Sequence, residues 1–259
     1  MDYDCCLLVA VAVVDPRDYN EFFQEHLWKN LPLVIGATQT SHWRARREWV
    51  TAEGTPNLPV LRNLFGDCQV QAADCSTRNF NDQKREIIPF SDFIGYWERH
   101  ARGEDQRILY CKDWHLVKDR PDYGAYETPE VFTDDWLNSF WDMKVVDDYR
   151  FCYLGPRGSW TPFHADVYRS YSWSTNICGR KLWTLFSPDQ VPLLRDSRGD
   201  FPYDLRHVDH TKFPHFAKTR PLTLVQNPGE SLFVPSCWYH QVENLVSPSL
   251  VSSLGLAPR

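Results

Sequence analysis

The spacing of apolar residues changes near residue 147. Before that point they recur at helical intervals. In "DPRDYNEFFQEHLWKN" (15–30), Tyr19, Phe22, Phe23 and Leu27 share one side of a helix, with Asp15 as cap and Pro16 in its first position. "PFSDFIGYWERHARG" (89–103) repeats the pattern with Phe90, Phe93, Ile94 and Trp97, and Gly103 stops it. "TPEVFTDDWLNSFWD" predicts a short helix capped by Thr or Asp. "LPLVIGA" and "RILYCKDW" are short buried strands between these helices. From 147 on, the apolar residues sit in short runs: "DYRFCYLG", "RSYSWSTNICG", "RKLWTLFS", "LTLVQNPGESLFVPS" and "WYHQVENLV". Gly, Pro, Asn and Asp separate the runs, as in an all-β sandwich or barrel. The polar stretch 189–220 is a long insert between strands, a kind of loop that often carries function. The expected organisation is an α/β preamble over 1–104, a β core over 105–246 and an atypical tail over 247–259.

Composition suits one large domain or a core with a helical preamble. The chain has 259 residues, 42% hydrophobic and 15% aromatic, which is ample apolar surface to bury. Eighteen Pro and twelve Gly argue against a helical bundle. The net charge of -6 gives no support to a nucleic-acid-binding face. Eight Cys include no C-x-x-C pair, so they are expected to be reduced thiols. The opening "MDYDCCLLVAVAVVDPRD" is apolar, but Asp2 and Asp4 stand where a secretory signal would be basic, and the run is too short to span a bilayer. It is expected to form a buried first strand or helix in a cytoplasmic or nuclear protein.

The candidate chemistry lies in "WTPFHADVYRSYSWSTNICGRKLW" (160–183). On an extended chain His164 and Asp166 point to one face. They are two corners of a two-His-one-carboxylate site, which binds Fe(II) and leaves three positions open. His240, in "GESLFVPSCWYHQVENL", can supply the third from a neighbouring strand. Two open positions suit a 2-oxo acid and the third O2. Lys181, past the turn at Gly179, can take the far carboxylate of 2-oxoglutarate. Each part alone has a blander meaning. A lone H-x-D is weak evidence, and His207 and Asp209 form a second one. His207, His210 and His215 sit in polar sequence and are expected to be solvated, with zinc a minor alternative. Isolated, Lys181 is more often a surface lysine, and Trp238 and Tyr239 more often core. The combination is far more specific than its members.

"VFTDDWLNSF", "YRFCYLGPRGSWTPFHAD", "GRKLWTLFSP" and "PGESLFVPSCWYHQV" resemble the Jumonji-C class of Fe(II)/2-oxoglutarate oxygenases, in particular its smaller hydroxylase-type members. The resemblance runs from "LPLVIG" to "HQVENL". It implies a mostly β, cupin-like double-stranded β-helix (jelly roll). It also implies that His164, Asp166 and His240 bind iron and that Lys181 pairs with 2-oxoglutarate. Tyr110 and Thr161 match positions that hydrogen-bond the same carboxylate, and Ser174 and Asn176 are further candidate contacts. The implied activity is lysyl hydroxylation of a protein, a translation release factor, with lysine or arginine N-demethylation as the alternative. The chain departs from the pattern after His240: "NLVSPSLVSSLGLAPR" is Ser/Pro-rich and only weakly strand-like, Pro248 is expected to interrupt any ladder, and Val251 to Leu254 can pair briefly but bury little. The expected result is an unpaired sheet edge, low stability and a weakly catalytic or merely protein-binding module.

Overall fold

The computed structural model of the chain describes residues 13–16, 18–144 and 148–245, and the backbone of 251–256, and these contain eleven strands. They are β1 (Leu33–Ile35), β2 (Gln69–Asn79), β3 (Asp82–Pro89), β4 (Leu109–Trp114), β5 (Arg150–Gly155), β6 (Ser172–Cys178), β7 (Lys181–Phe186), β8 (Leu222–Gln226), β9 (Ser231–Val234), β10 (Tyr239–Asn244) and β11 (Val251–Leu256). Eight make one sheet in the order β1-β9-β6-β11-β5-β4-β2-β3, and three make another in the order β10-β7-β8. All named pairs are antiparallel. Such paired sheets with non-consecutive neighbours are the jelly roll expected from the sequence. The preamble adds β1 at one end of the large sheet and the β2–β3 hairpin at the other.

The helix predicted over 89–103 spans Phe90–Ala101. Phe90, Phe93, Ile94 and Trp97 are fully buried on its inner face, each contributing roughly 1.5–3 kcal/mol of apolar burial. They join one aromatic core with Trp43, Trp49, Phe65, Trp114, Trp173 and Phe233. The first predicted helix is shorter than expected: a turn at Tyr19–Phe22 runs into a π-helical turn at Phe23–Leu27. Asp18, not Asp15, caps it by accepting from the Glu21 amide. The Asp15 carboxylate instead accepts from the Gly36 amide (2.8 Å) and the Thr38 hydroxyl, which ties the entering chain to the end of β1. The third helix is split into Glu130–Phe132 and Trp136–Lys144. Asp135 takes the Asn138 amide at 2.9 Å and so starts the second piece, as a helix cap does.

The helix Leu58–Phe65 and the β2–β3 hairpin were not legible in the apolar pattern, nor were the short helices Arg44–Glu48 and Leu116–Asp119. The hairpin ends the sheet, so β3 exposes much of its length, Ile87 included at 74%, and shows little alternation. The stretch 189–220 holds no strand, only short 3-10 turns, as expected of an insert.

The tail corrects its expectation. Val251–Leu256 lies between β5 and β6, paired from Val251↔Gly155 to Leu256↔Arg150 on one side and from Ser252↔Cys178 to Leu256↔Trp173 on the other. The strand begins after Pro248, which itself lies outside the described residues. The apolar opening, with Cys5 and Cys6, lies outside the described residues, although Val13 bridges to Val34. The remaining six cysteines are free thiols. Among the described residues no helix is long and apolar enough to cross a membrane.

Candidate metal centre and co-substrate pocket

Residues 160–166 do not form a regular strand. The segment runs beside β10 through isolated bridges, Trp160↔Glu243 and His164↔His240. The last is a reciprocal pair, His164 N–H to His240 O at 3.0 Å and His240 N–H to His164 O at 2.7 Å. This backbone lock brings the imidazole centroids to 4.5 Å. Asp166 follows at the entry to a 3-10 turn, Val167–Arg169. Its Oδ1 lies 3.9 Å from His164 Nε2 and 3.8 Å from His240 Nε2. Ligand atoms of the three residues fall within 4.8 Å of one another.

Both imidazoles are oriented by their Nδ1 atoms. His164 Nδ1 donates to the Pro162 carbonyl (2.7 Å) and His240 Nδ1 to the Trp238 carbonyl (3.3 Å). Each Nε2 is thereby left as a lone-pair donor facing Asp166. His240 is buried, and its burial, with repulsion from His164, pushes its pKa down to about 4. It therefore stays neutral at physiological pH, the state a metal needs. The Ser172 hydroxyl donates to Asp166 Oδ2 at 2.5 Å. Two imidazoles and one carboxylate that line one cavity fit Fe(II).

That cavity measures about 660 Å³. Lys181 lines it, 2% exposed. Burial pulls its pKa down to about 7, and among the described residues no carboxylate pairs with it. An ammonium at this position can pair with an anion in the cavity. Thr161 and Tyr110 also line the cavity and are buried. Thr161 Oγ1 accepts from the Val242 amide (3.1 Å), which leaves its hydrogen free to donate inward. Ser174 is buried in the same wall. Asn176 does not line it. Its amide nitrogen is used by the Gly179 carbonyl (2.8 Å) and supports the turn into β7. His207, His210 and His215 are exposed and are not part of the cluster of three ligands.

The sequence reading missed the opposite wall, made by Asp82, Arg85, Lys112 and Asp113. Arg85 pairs with Asp82 and Asp113, Lys112 Nζ with Asp82 (3.1 Å), and Tyr153 donates to Asp113 at 2.6 Å. A register shift between Cys111 and Trp114 bulges β4 here, with Asp113 left-handed at φ 52°. Bulges re-aim side chains beside active sites, and this one turns two consecutive residues into the cavity. Its signal was the charged "KD" inside the apolar run "ILYCKDW". Phe80, at the β2–β3 tip, also lines the cavity while 89% exposed.

Comparison with known proteins agrees with this geometry. Residues 19–254 match the model of the Cupin-like domain. The chain is 46% identical over 234 residues to the zebrafish protein named 2-oxoglutarate and iron-dependent oxygenase JMJD4, covering 88% of this chain and 56% of the relative. The human protein of that name is 43% identical with the same coverage. An Arabidopsis thaliana protein named arginine-specific demethylase JMJ20 is 47% identical over 244 residues, covering 88% of this chain and 52% of the relative. The chain thus spans about half the length of these relatives.

Proposed function

Because the chain belongs to the cupin-like Jumonji-C family, we propose that it is an Fe(II)- and 2-oxoglutarate-dependent oxygenase that hydroxylates a lysine side chain in a protein, with a translation release factor as the partner. The observation that supports this most is the sharing of one cavity by the His164/Asp166/His240 cluster and the unpartnered, buried Lys181. Bound iron, with 2-oxoglutarate and O2, would supply oxidation of an unactivated C–H bond, with succinate and CO2 as by-products. The chain's own residues would do the rest. Nε2 of His164, Nε2 of His240 and Oδ1 of Asp166 hold the metal. The Lys181 ammonium binds the far carboxylate of the co-substrate, and the Thr161 and Tyr110 hydroxyls donate to it. Trp173, Trp183 and Val242 line the same space and keep water from the reacting groups.

The test is succinate release by the purified protein given Fe(II), ascorbate and 2-oxoglutarate, repeated with His164→Ala, Asp166→Ala and His240→Ala. Each variant removes one of three protein ligands, so turnover and metal binding are expected to vanish. Retention of iron by all three would show that the cluster is not the metal site. A second reading is N-demethylation of arginine or lysine, favoured by the name of the Arabidopsis relative. Formaldehyde release from methylated peptides, against oxygen retained on an unmethylated one, separates the two.

A further inference from the structure

We infer that Ser172 is a positioning residue that makes Asp166 a single-oxygen ligand. This rests on the metal-centre reading above. The three ligands are not anchored alike. His164 and His240 are each oriented by a backbone carbonyl two residues upstream, an arrangement that no side-chain substitution removes. Asp166 sits where the chain leaves the bridged segment, just before Tyr168 and Arg169, both left-handed at φ 55° and 54°. Its carboxylate takes its bearing from the Ser172 hydroxyl, which donates to Oδ2 at 2.5 Å.

This contact divides the carboxylate. Oδ2 is occupied by Ser172, and Oδ1 is left nearly equidistant from the two Nε2 atoms, at 3.9 and 3.8 Å. A carboxylate free to rotate can offer both oxygens to a cation. A second oxygen from Asp166 would fill one of the three positions needed by the 2-oxo acid and O2. The donor is itself well held: Ser172 opens β6, pairs with Val234 of β9 and lines the cavity beside its target. Partners of metal ligands set ligand orientation in this way, and their loss typically lowers metal affinity about 10–100-fold.

The experiment needs neither co-substrate nor turnover. Mn(II) affinity is measured by titration, and the absorption spectrum of the Co(II)-loaded protein is recorded, for wild type, Ser172→Ala and Ser172→Thr. The Ala variant is expected to bind Mn(II) about 10–100-fold more weakly and to show a changed Co(II) spectrum, while the metal-free protein melts as wild type does. The Thr variant, which keeps the hydroxyl, is expected to restore both. An Ala variant with wild-type affinity and spectrum overturns the assignment, as does equal loss in the Ala and Thr variants. A wild-type protein that binds no divalent metal would instead remove the metal-centre reading, and this inference with it.

Discussion

Lys181 joins the sequence, the cavity and a measurable pH response. It was legible because it follows the H-x-D by one strand and the turn at Gly179, but its burial was not, since an isolated lysine is more often at the surface; that strand and the next do not form a hairpin, for β6 and β7 lie in different sheets. With its pKa pulled to about 7 from an ordinary 10.5, the folded, co-substrate-free protein binds fewer protons than the unfolded chain between those limits. Stability should therefore rise with pH through that window. Co-substrate binding needs the ammonium, so its affinity should be full below pH 7 and fall above it. Isothermal titration from pH 6 to pH 9 checks this (roughly tenfold per unit at most), and a flat profile would place the anchor elsewhere. Lys181→Met should lose 2-oxoglutarate binding by on the order of 2–5 kcal/mol, spare the metal, and melt higher than wild type at pH 6, because an uncompensated buried charge is gone. The triad residues were legible from residue type and spacing. Asn176 falls outside the cavity lining, because strand parity names a face without saying that a turn carbonyl already takes the side-chain nitrogen. Lys112 and Asp113 were missed because a bulge breaks parity altogether.

Among the elements, β5 lines the cavity with Phe151 and Tyr153 and ends at Gly155. A Cβ at Gly155 would lie 2.6 Å from both Ser159 Oγ and Tyr110 Cδ2. Gly155→Ala should therefore push the Tyr110 ring, costing roughly 1–3 kcal/mol of stability and weakening 2-oxoglutarate binding without loss of metal. Calorimetry and titration would report both, and an unchanged affinity would show that Tyr110 makes no contact with the co-substrate. The core strands after residue 147 were legible because they are bounded by turn residues and bury most of their side chains. The β2–β3 hairpin was not, since an end-of-sheet strand need bury little. The tail strand was undervalued for a related reason: its pairing is a property of backbone, which a Ser-rich sequence conceals. Its amides should exchange as slowly as those of β5, and Leu254→Pro, which deletes a ladder donor, should lower the melting temperature by several degrees. Fast exchange throughout 251–256 would return the tail to the unpaired edge first expected.

For the whole molecule, the class of fold followed from the succession of short strands, and the two-sheet order did not, because β11 joins neighbours that are remote in sequence. Gly155 meets Val251 and Cys178 meets Ser252 across this seam. The insert is pinned to the small sheet in the same long-range manner: Gln241 donates to Asp204 (3.0 Å) and accepts from the Leu205 amide (2.8 Å), and Arg206 stacks on Trp160 at 4.3 Å. Contacts of such separation make folding slow. The position of β11 has a further consequence during synthesis. Translation produces β5 and β6 well before the strand that must lie between them. Until 251–256 emerge, the nascent chain holds an open slot flanked by two bare strand edges, a template for pairing with another chain. Ribosome-bound chains halted just before residue 251 should thus aggregate or recruit holding chaperones, while chains extended past residue 256 by a tethering linker should not.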